Sequence, residues 1–200
     1  MPGPGGRTGR SEDDRGLVEL ARRGDRDAFG ILVGRHQNRA FNLAYQMVRN
    51  REDALDIAQE AFARAFASLP AFKGEASFTT WLHRIVVNLA IDSLRRKHRA
   101  GETVYNDTQA APEEQGAEPS SPDDPAAALE TKQVRVLLAQ GIAQLPPAQR
   151  AVLILREIEG LSYEEISRAV GCNVGTVMSR LFYARRKLQQ ALKPRLSDLR

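Results

Sequence analysis

The sequence is poor in the groups that build most chemical sites. It has one cysteine, Cys172, so no internal disulfide can form, a usage that fits a reducing cytoplasm. His36, His83 and His98 are its only histidines, and none stands at a zinc-like spacing from another or from Cys172. No metal and no cofactor are therefore expected. No apolar run approaches the ~18 residues that a membrane-spanning helix needs. The opening MPGPGGRTGR has no apolar segment behind its arginines, unlike a secretory signal, and the expected location is the cytoplasm. No stretch alternates apolar and polar residues as a half-buried strand does. GCNVG is not a phosphate-cradling loop, and no carboxylate–histidine or cysteine–histidine set stands out, so no catalytic residue is assigned.

What is present is helical periodicity and unevenly placed charge. Hydrophobic residues make up 42% of the 200 positions, enough for packed cores in one large or two small domains. The net charge is +4, yet residues 101–127 hold seven acidic side chains and no Lys or Arg, which leaves +11 on the remainder. Basic lobes joined by an acidic strap suit a polyanionic partner, although acid there also keeps a linker soluble and extended.

In chain order, residues 1–10 read as a disordered tail. Ser11 is expected to cap a helix reaching Arg23. Asp25 starts a long helix ended by Asn50, with Phe29, Leu32, His36, Ala40, Phe41, Ala44, Tyr45 and Val48 on one broad face. A helix over 51–68 carries Ala54, Leu55, Ile57, Ala58, Ala61, Phe62, Ala65 and Phe66. Pro70 and Gly74 force a loop. Ser77 caps a helix to about Arg99 with Phe78, Trp81, Leu82, Ile85, Val86 and Leu89 inward. Residues 101–127, with Pro112, Pro119, Pro122 and Pro125, read as a flexible acidic linker reaching roughly 90 Å at ~3.3 Å per residue. Two turns of duplex are about 70 Å, so two lobes could sit on one DNA face that far apart. The fold class is all-α: helical domains at 11–100 and 128–200.

The most informative stretch is Leu161–Gln189. Ser162 and Glu165 form a capping box, Gly171 supplies a left-handed stop and Asn173 a second cap. Val177, Leu181, Ala184, Leu188 and Leu192 then make one buried stripe. The opposite face carries Thr176, Ser179, Arg180, Tyr183, Arg186 and Lys187. The pattern fits a helix-turn-helix with a recognition helix for the major groove, and also an ordinary helical hairpin with a solvated basic face.

The segments DALDIAQEAFARAF (Asp53–Phe66), FKGEASFTTWLHRIVVNLAIDSLRRK (Phe72–Lys97), LPPAQRAVLILREIEGLSYEEI and GTVMSRLFYARRKL, in that order, resemble the bacterial extracytoplasmic-function (ECF) sigma factors. The resemblance implies a non-enzymatic promoter-specificity subunit of RNA polymerase. Asp53, Asp56, Gln59 and Glu60 then match the segment that docks on the clamp helices of the largest polymerase subunit, while the second domain meets the flap of the second largest. Phe72, Lys73, Gly74, Glu75 and Ser77 match the loop that receives a base flipped from the melted −10 strand. Phe72 reads equally well as core, and Phe78 and Trp81 better so. Arg84, Asn88, Arg95 and Arg96 follow on the −10 side, with Lys97 and Arg99 in the same basic stripe. Arg156, Thr176, Met178, Ser179, Arg180, Phe182, Tyr183 and Arg186 match the −35 side. Met178 and Tyr183 depart from the family, which often has cations there, so the usual −35 sequence is not assumed. An anti-sigma factor is the further partner implied. A stand-alone helix-turn-helix regulator is the alternative, but it leaves DALDIAQEAF and FTTWLHRI without a role.

Overall fold

The computed structural model describes residues 8–100 and 125–197; the expected tail before Thr8 and the linker up to Asp124 lie outside the described residues. The helices are α1 Thr8–Arg22, α2 Arg26–Val48, α3 Arg51–Ser68, α4 Phe78–Ala100, α5 Pro125–Ala143, α6 Pro147–Glu157, α7 Tyr163–Val170 and α8 Val174–Ser197, with a 3₁₀ turn at Leu69–Ala71. Every regular element among the described residues is helical, as the sequence pattern predicts. Some boundaries differ. Helix α1 begins at Thr8, so Ser11 lies inside it, and α5 begins at Pro125, within the stretch expected to be linker.

Local chemistry sets the helix ends. The Asp25 carboxylate accepts from the amides of Asp27 (2.9 Å) and Ala28 (3.0 Å), satisfying two orphan donors of α2. Asn50, expected to end α2, instead opens α3 by accepting from the Asp53 amide at 2.9 Å. The stop is Arg49, left-handed at φ 57°, whose N–H reaches the Tyr45 carbonyl. Its guanidinium lies 5.2 Å from the Tyr45 ring centroid, a cation–π contact that offsets part of that strain.

In the first lobe α2, α3 and α4 enclose Leu32, Leu43, Met47, Ala54, Ala61, Leu82 and Val86, all buried. Helix α1 is pinned by Asp14, whose buried carboxylate accepts from Arg35 Nη1 at 3.0 Å and sits 2.7 Å from His36 Nε2.

In the second lobe α6, α7 and α8 close over Val152, Leu155, Ile166, Val177, Leu181 and Ala184. The capping box of α7 is present: Ser162 Oγ accepts from the Glu165 amide at 3.2 Å and Glu165 Oε2 from the Ser162 amide at 2.8 Å. Gly171, at φ 66°, makes the left-handed turn between α7 and α8. Ser162→Ala is expected to lower the stability of this lobe by about 1 kcal/mol, read as a lower urea midpoint at constant slope.

The lobes do not stand apart. Helix α7 rests on α4, and α6 on α2 and α4.

Candidate nucleic-acid interface

Three faces carry the polar and basic side chains left over after the cores are filled. The first is on α3. Its buried stripe of Ala54, Ile57, Ala58, Ala61 and Ala65 leaves Asp56, Gln59 and Glu60 exposed on the far side. Asp53 is only half exposed and takes a 2.6 Å salt bridge from Lys97 of α4, so both groups already have a partner within the lobe. Glu60 pairs with Arg64 along the helix. Leu55 and Phe66, expected in the core, are 41% and 40% exposed. The Phe66 ring lies 4.9 Å from Phe29. Leu55 stands among the exposed acidic and amide groups as an apolar contact point that the sequence pattern, read as core, missed.

The second face is the loop from Phe72 to Ser77 and the helix that follows. Phe72, which the sequence leaves open between core and loop contact, is buried, its ring 4.8 Å from Trp81, which also lies 5.8 Å from Phe78. It anchors the loop and is not free to stack on a base. Lys73, Gly74, Glu75 and Ser77 are exposed between these anchors. Gly74 is left-handed at φ 73° with nothing within 4 Å of a Cβ placed there, so its requirement is conformational, not a close approach. Ser77 Oγ caps α4 by accepting from the Thr80 amide at 3.1 Å. Along α4, Arg84, Asn88 and Arg95 are exposed and fall within about 40° of one another at ~100° per residue, while Arg96 lies about 120° around from Arg84. Asn88 borders a shallow hollow of about 410 Å³ with Arg64, Ala67, Ser68 and Ile85.

The third face is on α8. Asn173 Oδ1 caps the helix by accepting from the Thr176 amide at 2.7 Å. With Val177, Leu181 and Ala184 buried, Ser179, Phe182, Tyr183 and Arg186 lie opposite at i, i+3, i+4 and i+7. Phe182 and Tyr183 are 60% and 55% exposed and meet edge to face. Met178, 54% exposed, joins Phe182, Tyr163, Leu181, Arg185, Arg186 and Gln189 around an open groove of about 700 Å³. Arg180 is half buried, with Nη1 3.6 Å from Cys172 Sγ. Arg156 does not project freely: it donates to the Leu161 carbonyl at 2.8 Å and stacks 4.8 Å over the Tyr163 ring. It orders the turn leading into α7. Glu157 holds Arg185 by hydrogen bonds of 2.5 and 3.1 Å, and this bonding raises the Arg185 pKa.

No group of His, Cys, Asp and Glu suited to a metal occurs among the described residues. No described helix is long and apolar enough to cross a membrane.

These features define an all-α, helix-turn-helix DNA-binding protein. The sigma-70 region 2 model matches residues 32–100, and the sigma-70 region 4 model residues 135–188. The chain is 38% identical to the RNA polymerase sigma-H factor of Pseudomonas aeruginosa over 94% of its length and 97% of that protein. It is 36% identical to the ECF RNA polymerase sigma-E factor of Escherichia coli, over 90% and 95%. Among solved structures it is similar to CnrH in complex with the cytosolic domain of CnrY, with a TM-score of 0.64, 29% identity and coverage of 90% and 97%. The chain belongs to the sigma-70 family as an ECF RNA polymerase sigma factor, a non-enzymatic protein of transcription initiation.

Proposed function

We propose that this sigma factor works in the cytoplasm by dividing three contacts among its three exposed faces. Asp56, Gln59, Glu60 and Leu55 dock on the clamp helices of the largest polymerase subunit, with Asp53 holding α4 against α3 through Lys97. Charged and amide groups there orient the complex and speed its formation more than they add raw affinity. Lys73, Gly74, Glu75 and Ser77 form the rim that receives an extruded −10 base. Extrusion costs a few kcal/mol, recovered by hydrogen bonds to the base edge. Asn88 reads or holds the same strand, while Arg84, Arg95 and Arg96 neutralise phosphates. The second lobe meets the flap of the second largest subunit and places α8 in the −35 major groove.

The observation that carries this reading is the placement of exposed polar, basic and aromatic side chains opposite the buried stripes of α3, α4 and α8, in a chain 38% identical to a sigma factor. Run-off transcription with bacterial core polymerase tests it. Discrete transcripts that need this protein support the reading. Tight duplex binding with no new transcript on a wide promoter pool overturns it in favour of a conventional regulator.

On α8, Tyr183 and Met178 present ring and thioether surface where cations would read guanine, and the matching groove feature is the thymine methyl. Selection of −35 sites from a random pool is expected to return thymine-rich positions under α8. Recovery of guanine at those positions would sink this assignment.

An anti-sigma factor is the expected regulator, supported by the likeness to CnrH, which was solved with a partner's cytosolic domain. Failure of native pull-downs to recover any sequestering protein would count against it.

A further inference from the structure

Met178, Phe182 and Tyr183 of α8 are each more than half exposed. The cations around them are largely engaged elsewhere. Glu157 holds Arg185 through Nε and Nη2, Arg180 turns to Cys172 Sγ at 3.6 Å, and Arg156 is bound to the Leu161 carbonyl. Arg186 stays exposed beyond the rings. Ser179 lies between the two rings. At ~100° per residue it is about 60° from Phe182 and about 40° from Tyr183 around the helix axis. Its hydroxyl donates to the Thr176 carbonyl at 3.0 Å. That bond occupies its hydrogen and leaves its exposed oxygen as an acceptor.

These groups have a definite complement on the base edges. In the major groove cytosine offers its N4 amino donor, and thymine offers its O4 acceptor and the C5-methyl group. Ring and thioether surface matches a methyl group. A hydroxyl that only accepts matches a donor. Thymine supplies the methyl group with an acceptor beside it. Cytosine supplies the donor without the methyl group. Cytosine methylated at C5 supplies both, with its methyl group at the place on the pyrimidine edge where thymine carries its own.

We propose that α8 reads the C5-methyl group of pyrimidines in the −35 element, so that 5-methylcytosine takes the place of thymine and methylation of the promoter strengthens binding. The proposal rests on the −35 reading above. It also accounts for the thymine expected from selection, because an ordinary random pool carries this methyl group on thymine alone.

Four duplexes test it, each bound by polymerase carrying the full chain. One position under α8 holds thymine or uracil opposite adenine, or 5-methylcytosine or cytosine opposite guanine. Within each pairing the two bases differ by one methyl group. Its burial predicts a loss of about fourfold from thymine to uracil and a gain of about fourfold from cytosine to 5-methylcytosine. Met178→Ala, Phe182→Ala and Tyr183→Ala, all at exposed positions, should bring these ratios toward one at the base each covers. The salt slope should not change, since no phosphate contact is lost. Ser179→Ala should weaken both cytosine duplexes and neither of the others.

Equal affinity within both pairings overturns the proposal and returns the exposed rings to a protein surface. Selection that places no thymine under α8 overturns it as well. Ratios unchanged in all three ring and thioether variants overturn the assignment to this face. Run-off transcription from the thymine promoter is scored separately. Transcript with equal affinities removes the methyl contact alone, whereas absence of transcript on every promoter removes the −35 reading beneath it.

Discussion

Asn88→Ala is expected to reduce run-off transcript at least tenfold while leaving polymerase binding unchanged. Asn88 is exposed on α4 in line with Arg84 and Arg95, and it borders the hollow shared with Arg64, Ser68 and Ile85. It carries no packing load, so the variant should fold with wild-type stability. An amide reading an adenine edge through two hydrogen bonds is worth ~1–3 kcal/mol of discrimination, and 1.4 kcal/mol is tenfold. Arg84→Ala should behave differently. Loss of one phosphate contact weakens binding across all sequences and lowers the salt slope by close to one unit. Transcript from Asn88→Ala within twofold of wild type would remove Asn88 from the −10 contact set.

Acid is expected to destabilise the protein through His83 over a window set by its own titration. Burial, helped by the charges on Arg39 and His36, lowers its pKa from 6.5 to about 3 in the fold. Between those two values the unfolded chain holds a proton that the folded chain does not. Stability therefore rises with pH across this window and falls as acid is added, by up to ~1.4 kcal/mol per pH unit from this one group. Above pH 6.5 the effect vanishes. Against a total of about 5–15 kcal/mol for a typical domain, a drop of two pH units is a large loss. Urea midpoints at pH 6.5 and 4.5 check it, with His83→Gln expected to flatten the slope. An unchanged slope in that variant would assign the acid response to other groups.

The helices were readable because each apolar stripe repeats at helical spacing and each cap uses a residue with one local purpose. Ser162, Gly171 and Asn173 did what their chemistry dictates within three residues of themselves. The same holds for the stripe Val177, Leu181 and Ala184. Less legible were residues whose surroundings depend on something distant in sequence. Leu55 and Phe66 look like core by periodicity, yet the exposed face of α3 passes through them. Phe72 looked equally like a DNA contact until Trp81 was placed on its ring. Arg156 matches a DNA-contacting position but is occupied by Leu161 and Tyr163. Arg39, His83, Arg150 and Glu159 carried no local signal at all. Their meaning lies in pairs as far as 120 residues apart, such as Arg39 with Glu159, and no short-range pattern encodes that.

On the promoter reading proposed above, the anchoring of the loop from Phe72 to Ser77 bears on how such proteins diversify. Phe72 and Phe78 both contact Trp81, so the two ends of the loop are held by one aromatic cluster. Gly74 is fixed by its backbone and Ser77 by its cap. That leaves Lys73 and Glu75, both exposed, as positions where substitutions meet no core and break no turn. The loop is in effect an exchangeable cassette: new promoter preferences can be sampled there at almost no cost to folding, and the scaffold that carries them need not evolve in step.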